Sequence, residues 1–152
     1  MTPDLQLLRQ YASTRDAEAF AAIVKEYKDM VYGVCLRVLG NAADAEDATQ
    51  DCFYDLARQA GKVRASVAGW LHRRATHHSL NLVKCAAARR RREREYEEAR
   101  AAEMASHDEV APWRQIAPAV DQAVDALPDE LRHLLVEHFL RQRSQADLAD
   151  EL

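Results

Sequence analysis

The chain predicts an all-α protein, and three observations carry that expectation. Glycine and proline number only four each in 152 residues, so the residues that punctuate turns, bulges and elaborate loops are scarce. Apolar residues recur at three- and four-residue steps through several long segments, which places them on single helix faces. Hydrophobic residues make up 48% of the chain, an ordinary share for a globular protein, and the length suits one domain or two small helical ones.

The elements follow in order. A first long helix is expected from about Ser13 or Thr14 to Leu39, with Phe20, Ile23, Val24, Tyr27, Val31, Cys35 and Val38 on one face. Gly40-Asn41 ends it. Asn41 is suited to cap a second helix whose first turn carries Asp44, Glu46 and Asp47, near the unpaired N–H groups that favour negative charge. That helix presents Ala45, Ala48, Cys52, Phe53 and Leu56 and should end near Ala60-Gly61. After a short basic connection, Gly61 to Arg64, Ser66 can cap a third helix with Val67, Trp70, Leu71, Ala75, His78 and Leu82 on its buried side. Arg73, His77, Asn81 and Lys84 fall on another side.

Residues from about Glu93 to Pro118 read as a join, because Ser106-His107-Asp108 and prolines 112 and 118 interrupt any continuous apolar seam. A second unit is expected from Pro118. Val120, Val124 and Leu127 form a short stripe, Pro128-Asp129-Glu130 suits a helix start, and Leu131, Leu134, Leu135, His138 and Phe139 form another stripe. Ser144 to Asp147 has capping-box spacing and opens a last helix with Leu148, Ala149 and Leu152. The expected division is therefore 1–95, a linker at 96–117, and 118–152.

Charge is distributed in blocks. Residues 1–60 carry six bases and ten acids, residues 61–100 eleven and four, and residues 101–152 four and eleven, so the net charge of -4 conceals a local polycation. Between Lys62 and Arg94 ten bases stand against Glu93 alone, interleaved with Trp70 and three histidines and ending in Arg89-Arg90-Arg91-Arg92. Such a run is the footprint of phosphate-backbone binding, although a run of arginines also serves simply as a solvated helix end. Spacing alone favours Trp70 as a core residue over one that stacks on a base.

Other chemistries find little support. The sequence lacks GxxxxGK, HExxH and GxSxG, so no cofactor and no catalytic constellation is expected. His77 and His78 point about 100° apart on a helix, and no adjacent Cys or acid completes a metal set with His72. Asp44, Glu46, Asp47, Asp51 and Asp55 suit helix capping and a charged docking face better than a magnesium cage. Cys35, Cys52 and Cys85 are widely spaced and odd in number, which indicates neither a disulfide framework nor a thiolate zinc site. No apolar run approaches the roughly 20 residues of a membrane span and no secretory h-region is seen at the N-terminus, so a cytoplasmic location is expected.

With these residues in hand, the chain resembles the extracytoplasmic-function, or group 4, sigma factors of the sigma-70 family of bacterial RNA polymerase. Asp16 to Phe20, through Tyr27, to Val31-Tyr32 resembles the start of the sigma-2 domain. Asn41 to Phe53 is similar to the DAED-x-TQ-x-x-F segment of region 2.2, and Gly69-Trp70-Leu71-His72-Arg73-Arg74-Ala75 with the arginine block resembles regions 2.3 and 2.4. Ala126 to Arg132 and Ser144 to Leu152 resemble the start of region 4, up to the first helix of a helix-turn-helix. The implied architecture is a sigma-2 helical domain, a linker and an incomplete sigma-4 domain. Since the family would continue past Leu152 with the recognition helix, a trimmed or incomplete product is expected.

The resemblance also implies partners. Asp44, Glu46, Asp47, Gln50, Asp51 and Phe53 become candidates for docking on the clamp helices of the largest catalytic polymerase subunit. Lys62, Arg64, Trp70, Arg73, His77, Asn81 and Lys84 become candidates for binding and opening the -10 promoter element on the non-template strand. Family members do no bond chemistry themselves. An alternative is a sigma-like adaptor that occupies an anti-sigma factor without engaging DNA, although such a mimic has little need of the basic run.

Departures from the family pattern fall at informative positions. Arg74 stands where an apolar residue is usual, His77 where Asn is usual and Asn81 at a common Asp position, so an unusual promoter preference is expected. Arg74 is expected to carry its charge to the rim, near Trp70 and His78. Ala48 and Cys52 replace larger residues, which implies closer helix packing or a weaker core. Finally, the net charges of residues 61–100 and 101–152 are opposite and equal in size, which favours a compact form covering part of the basic helix; the same acids also suit a purely solvating role.

Overall fold

The computed structural model describes residues 1–97, 112–144 and 147–148. Among them the regular structure is helical: α1 (Pro3–Thr14), α2 (Ala17–Leu39), α3 (Ala42–Gln59), a 3₁₀ turn (Ala60–Lys62), α4 (Val67–Glu97), α5 (Pro112–Asp125), α6 (Asp129–Leu135) and a π turn (Val136–Leu140). No described helix is long and apolar enough to cross a membrane.

The expected start of the first helix near Ser13 or Thr14 is corrected by α1. Thr2 accepts a hydrogen bond from the Leu5 N–H, and Pro3 occupies the first turn, where its missing N–H is no loss. Leu5 and Leu8 are buried. Ser13 and Thr14 bond back to the Gln10 carbonyl, Arg15 turns left-handed at φ 58°, and Asp16 caps α2 by accepting from Glu18 N–H. The long helix thus begins at Ala17, and α1 before it is a helix that the apolar periodicity had not announced.

Helix α2 is the central member. Ile23, Tyr27, Val31, Val34 and Cys35 are buried along it, against α1 on one side and α3 and α4 on others. Gly40, at φ 71°, closes α2 in a conformation that costs other residues energy, and Asn41 accepts from Asp44 N–H to start α3 as expected. Ala45, Ala48, Cys52 and Leu56 carry the buried stripe of α3. Ala48 and Cys52 face this core with their small side chains fully enclosed.

Ser66 caps α4, its hydroxyl accepting from the Gly69 N–H at 3.0 Å. The buried side of α4 consists of Val67, Ala68, Leu71, His72, Ala75, Thr76 and Ser79. This corrects the expected stripe at three positions. Trp70 and His78 lie half-buried at its edges, and Leu82 is 38% exposed. The reason is geometric: α4 has 31 residues, about 46 Å of helix, and outruns the body after Ser79. Residues 81–85 and the arginine block are exposed on this projecting arm.

Helix α5 begins at Pro112 and carries Pro118 within it, where the ring leaves the helix one backbone N–H short. It packs against α2 and α4, and the segment after it extends the same core. Val136 is fully buried in the main cluster, with Val124 and Leu140 packed partly against it. Arg141 lies over the Tyr27 ring, 4.2 Å from its centre, and pairs with Glu26 and the buried Glu137. Ser144 accepts from Asp147 N–H, the start of the expected capping box; the body of that last helix lies outside the described residues.

Candidate nucleic-acid and polymerase interfaces

The basic stripe arises from the helical repeat. At about 100° per residue, Trp70, Arg73, His77, Asn81 and Lys84 fall within roughly an 80° sector, on the side of α4 away from its buried residues. Arg73, Asn81 and Lys84 are exposed, while Trp70 and His77 are half-buried. At the N-terminal end of the stripe, Lys62 and Arg64 join from the connection before α4. Together with Ser66, Trp70 and Arg73 they line a cavity of about 210 Å³. Six of the seven candidate residues are cationic or aromatic, a lining suited to phosphates and base faces. The seventh, Asn81, adds an amide on the projecting part.

Helices α5 and α6 close one side of this region. Asp129 and Arg132 contribute to the same cavity wall, and Ser66 Oγ lies 2.7 Å from His133 Nδ1. Farther along α4, His77 Nε2 lies 2.6 Å from Asp125 Oδ2, and Arg73 Nε is 3.8 Å from Asp125 Oδ1. Beneath these contacts Asp121 is almost wholly buried, accepting two 3.0 Å hydrogen bonds from Arg37 and standing 3.1 Å from His72 Nε2. Burial pushes its carboxyl up, but His72 and Arg37 together more than offset that, holding it below the usual carboxylate range. Asp121, Asp125, Ser66 and His133 were not among the candidate residues. The two acids leave a trace in the sequence only as part of the block of negative charge after residue 101, and Ser66 only as a helix cap.

The acidic candidates on α3 divide between two faces. Asp44, Asp47 and Asp51 share one stripe, whereas Glu46, Gln50 and Phe53 lie on a second stripe roughly 125° around the helix. The first stripe leads toward α4, where His78 Nε2 is 3.2 Å from Asp51 and Arg74 Nε donates to Asp55 at 2.7 Å. Arg74 therefore carries its charge to the rim, as expected, but toward the Asp55 carboxylate. Burial raises the Asp55 carboxyl, yet hydrogen bonds from Arg74 and Arg58 leave it lowered on balance. The second stripe borders an apolar groove of about 350 Å³ formed with Phe20, Val24 and Lys28 of α2 and Tyr54 of α3. Phe53 is 7% exposed and forms part of the groove wall, while Gln50 and the 66%-exposed Tyr54 are its accessible members from α3 and Lys28 that from α2. Tyr54 escaped the sequence reading because an exposed tyrosine leaves no periodic signal.

Comparison with known proteins agrees with this arrangement. Residues 23–94 match the family model described as "Sigma-70 region 2", which spans most of α2, all of α3 and nearly all of α4. The chain is 32% identical over 99 residues to the ECF RNA polymerase sigma factor SigK of Mycobacterium sp. (strain KMS), covering 63% of this chain and 51% of the relative. It is 35% identical over 71 residues to the ECF RNA polymerase sigma factor SigW of Bacillus subtilis (strain 168), covering 45% and 38% respectively. A third relative, SigK of Mycobacterium tuberculosis (strain ATCC 25177 / H37Ra), is 29% identical over 99 residues, or 63% of this chain and 53% of its own length. The chain spans about half the length of the curated relatives it matches. Residues 23–94, with the acidic helix on one side and the basic helix on another, are thus similar to sigma-70 region 2, and the chain resembles extracytoplasmic-function RNA polymerase sigma factors over about half of their length.

Proposed function

We propose that the chain acts as a promoter-specificity subunit: α3 and its groove dock on the clamp helices of the largest subunit of core RNA polymerase, and the α4 stripe engages and helps open the -10 element. The observation that carries this reading is the placement of an acidic, groove-bearing surface and a basic, aromatic-edged surface on one continuous core. The acidic side repels a phosphate backbone and suits a protein partner, while an apolar groove suits the face of a partner helix. In this reading Gln50, Phe53 and Tyr54 line the groove, Glu46 stands one turn before Gln50 on the same stripe, and Asp44, Asp47 and Asp51 supply the charged rim.

On the other surface, Lys62, Arg64, Arg73 and Lys84 hold phosphates of the non-template strand. Trp70, His77 and Asn81 lie nearer the bases. Unstacking costs a few kcal/mol per step, and capture of an unpaired base on the protein offsets that cost. Region 2 corresponds to residues 1–95 in this proposal, with a connection at 96–117 and region 4 material at 118–152; α5 begins inside the connection.

The test is reconstitution of the chain with core polymerase. Saturable binding that displaces a labelled sigma factor, and core-dependent retention of DNA carrying an unpaired -10 segment, are the expected results. Absence of core binding contradicts the proposal, and copurification with an anti-sigma factor in that case favours the adaptor alternative.

A further inference from the structure

We propose that α5 is an internal clasp whose Asp125 carboxylate occupies the basic face of α4 in place of DNA, so that α5 and the promoter strand compete for the same side chains. This rests on the DNA-binding reading above and adds a regulation of that site by the chain itself.

The geometry supports competition. Asp125 reaches His77 and approaches Arg73, two members of the stripe whose side chains keep 44% and 55% of their exposure. Its Oδ1 is buried without a hydrogen bond, since Arg73 at 3.8 Å is an ion pair too long for one. A carboxylate whose two oxygens face an arginine and a histidine takes up the phosphate-holding Arg73 and the base-side His77 at once. Two anchors fix its position. On one side Asp121 is tied to Arg37 and His72, and on the other His133 meets Ser66 while Arg132 and Asp129 wall the cavity that Lys62, Arg64 and Trp70 share.

The clasp divides the candidate residues into two groups. Arg73 and His77 lie under Asp125, and Lys62, Arg64 and Trp70 line the cavity that α6 walls beside it, whereas Asn81 and Lys84 are exposed beyond. A strand approaching α4 meets the open outer part first and gains the inner part only by displacing Asp125. The contacts to Arg73 and His77 are partly solvated, where ion pairs are weak, so displacement is within the reach of a polyanion. The charge blocks act in the same sense, with residues 61–100 basic and residues 101–152 acidic by equal amounts.

The experiment measures binding of the 152-residue chain to a fluorescent pool of randomised single-stranded 20-mer DNA at low salt. Asp125→Asn, which keeps the shape and removes the charge, is expected to bind about three- to tenfold more tightly than the unmodified chain, one to two partly exposed ion pairs being released. Lys84→Ala, outside the clasp, is expected to weaken both backgrounds by the same factor. A second measurement uses spin labels on the exposed Cys85 and on Ala119→Cys, both in an otherwise unaltered chain. A single narrow distance without DNA that broadens and lengthens on saturation is the expected result.

Equal DNA affinity of the Asp125→Asn and unmodified chains, together with the Lys84→Ala loss, overturns the clasp and leaves the DNA reading standing. A label distance unmoved by saturating DNA overturns it as well. Failure of every variant to bind DNA overturns the DNA reading and the clasp together.

Discussion

Asp121 joins Arg37 to His72. The carboxylate of α5 accepts two hydrogen bonds from the α2 guanidinium at 3.0 Å and lies 3.1 Å from the α4 imidazole, so one buried acid ties three helices together. Arg37 keeps about a quarter of its side-chain exposure while Asp121 and His72 keep almost none. Removing the acid therefore strands a buried imidazole and a guanidinium that retains a partial route to water.

Asp121→Ala is expected to lower stability by about 3 kcal/mol, the low end of the range for breaking a buried pair, because Arg37 can rehydrate. Urea denaturation followed by circular dichroism measures this. A change below about 0.5 kcal/mol contradicts a structural role for the triad.

The pH dependence has a definite sign. Asp121 is held below its ordinary value in the folded chain, so the folded state binds fewer protons there than the unfolded state. Its stabilisation is fully present above the ordinary carboxylate pKa of about 3.9 and is lost as pH falls through the lower folded value. Asp55, lowered by Arg74 and Arg58, adds in the same direction. Denaturation midpoints measured from pH 6 down to about pH 2.5 should fall in this window, and Asp121→Asn should flatten the slope.

Thiol accessibility tests the packing of α2 on α3. Cys35 and Cys52 are fully buried in the core, and hydrogen bonding to Cys35 and burial push the Cys52 thiol up, whereas Cys85 is exposed on α4. A disulfide reagent should titrate one thiol in the native chain and three after unfolding. Rapid native reaction at three thiols contradicts the close packing of Ala48 and Cys52.

Much of this arrangement was legible in the sequence because it depends on local periodicity. The buried stripe of α2, the Asn41 and Ser66 caps and the basic stripe of α4 all follow from spacing within a single helix. Helix α1 carried comparable signals in Thr2, Pro3, Leu5 and Leu8, but with two buried positions in 12 residues its apolar period is too short to stand out beside that of α2. Leu82 fits the stripe of α4 by spacing and is nevertheless exposed, because the lengths of the neighbouring helices decide where burial stops. The contacts of Asp121 and Asp125 depend on where α5 docks. Charge counts revealed the attraction without selecting these two acids.

Docking on core polymerase should separate the two faces of α3. Tyr54→Ala and Gln50→Ala remove contact surface at the groove and are expected to raise the dissociation constant by about five- to tenfold with little change in salt dependence. Asp44→Lys and Asp47→Lys act on the charged rim and are expected to slow association, most clearly at low salt. Competition binding at two ionic strengths measures both effects. Identical salt responses for the two pairs contradict this division.

The most direct measurement of the central claim, that the α4 stripe reads the -10 strand, is selection of bound sequences from a library with a randomised, unpaired -10 segment by the chain assembled on core polymerase. The unmodified chain is expected to enrich a defined motif. His77→Ala and Asn81→Ala should change the ranking of sequences, whereas Lys84→Ala should keep the motif, weaken all sequences alike and reduce the salt slope by about 1. Enrichment of no motif, or of one unchanged motif by all four proteins, contradicts the account.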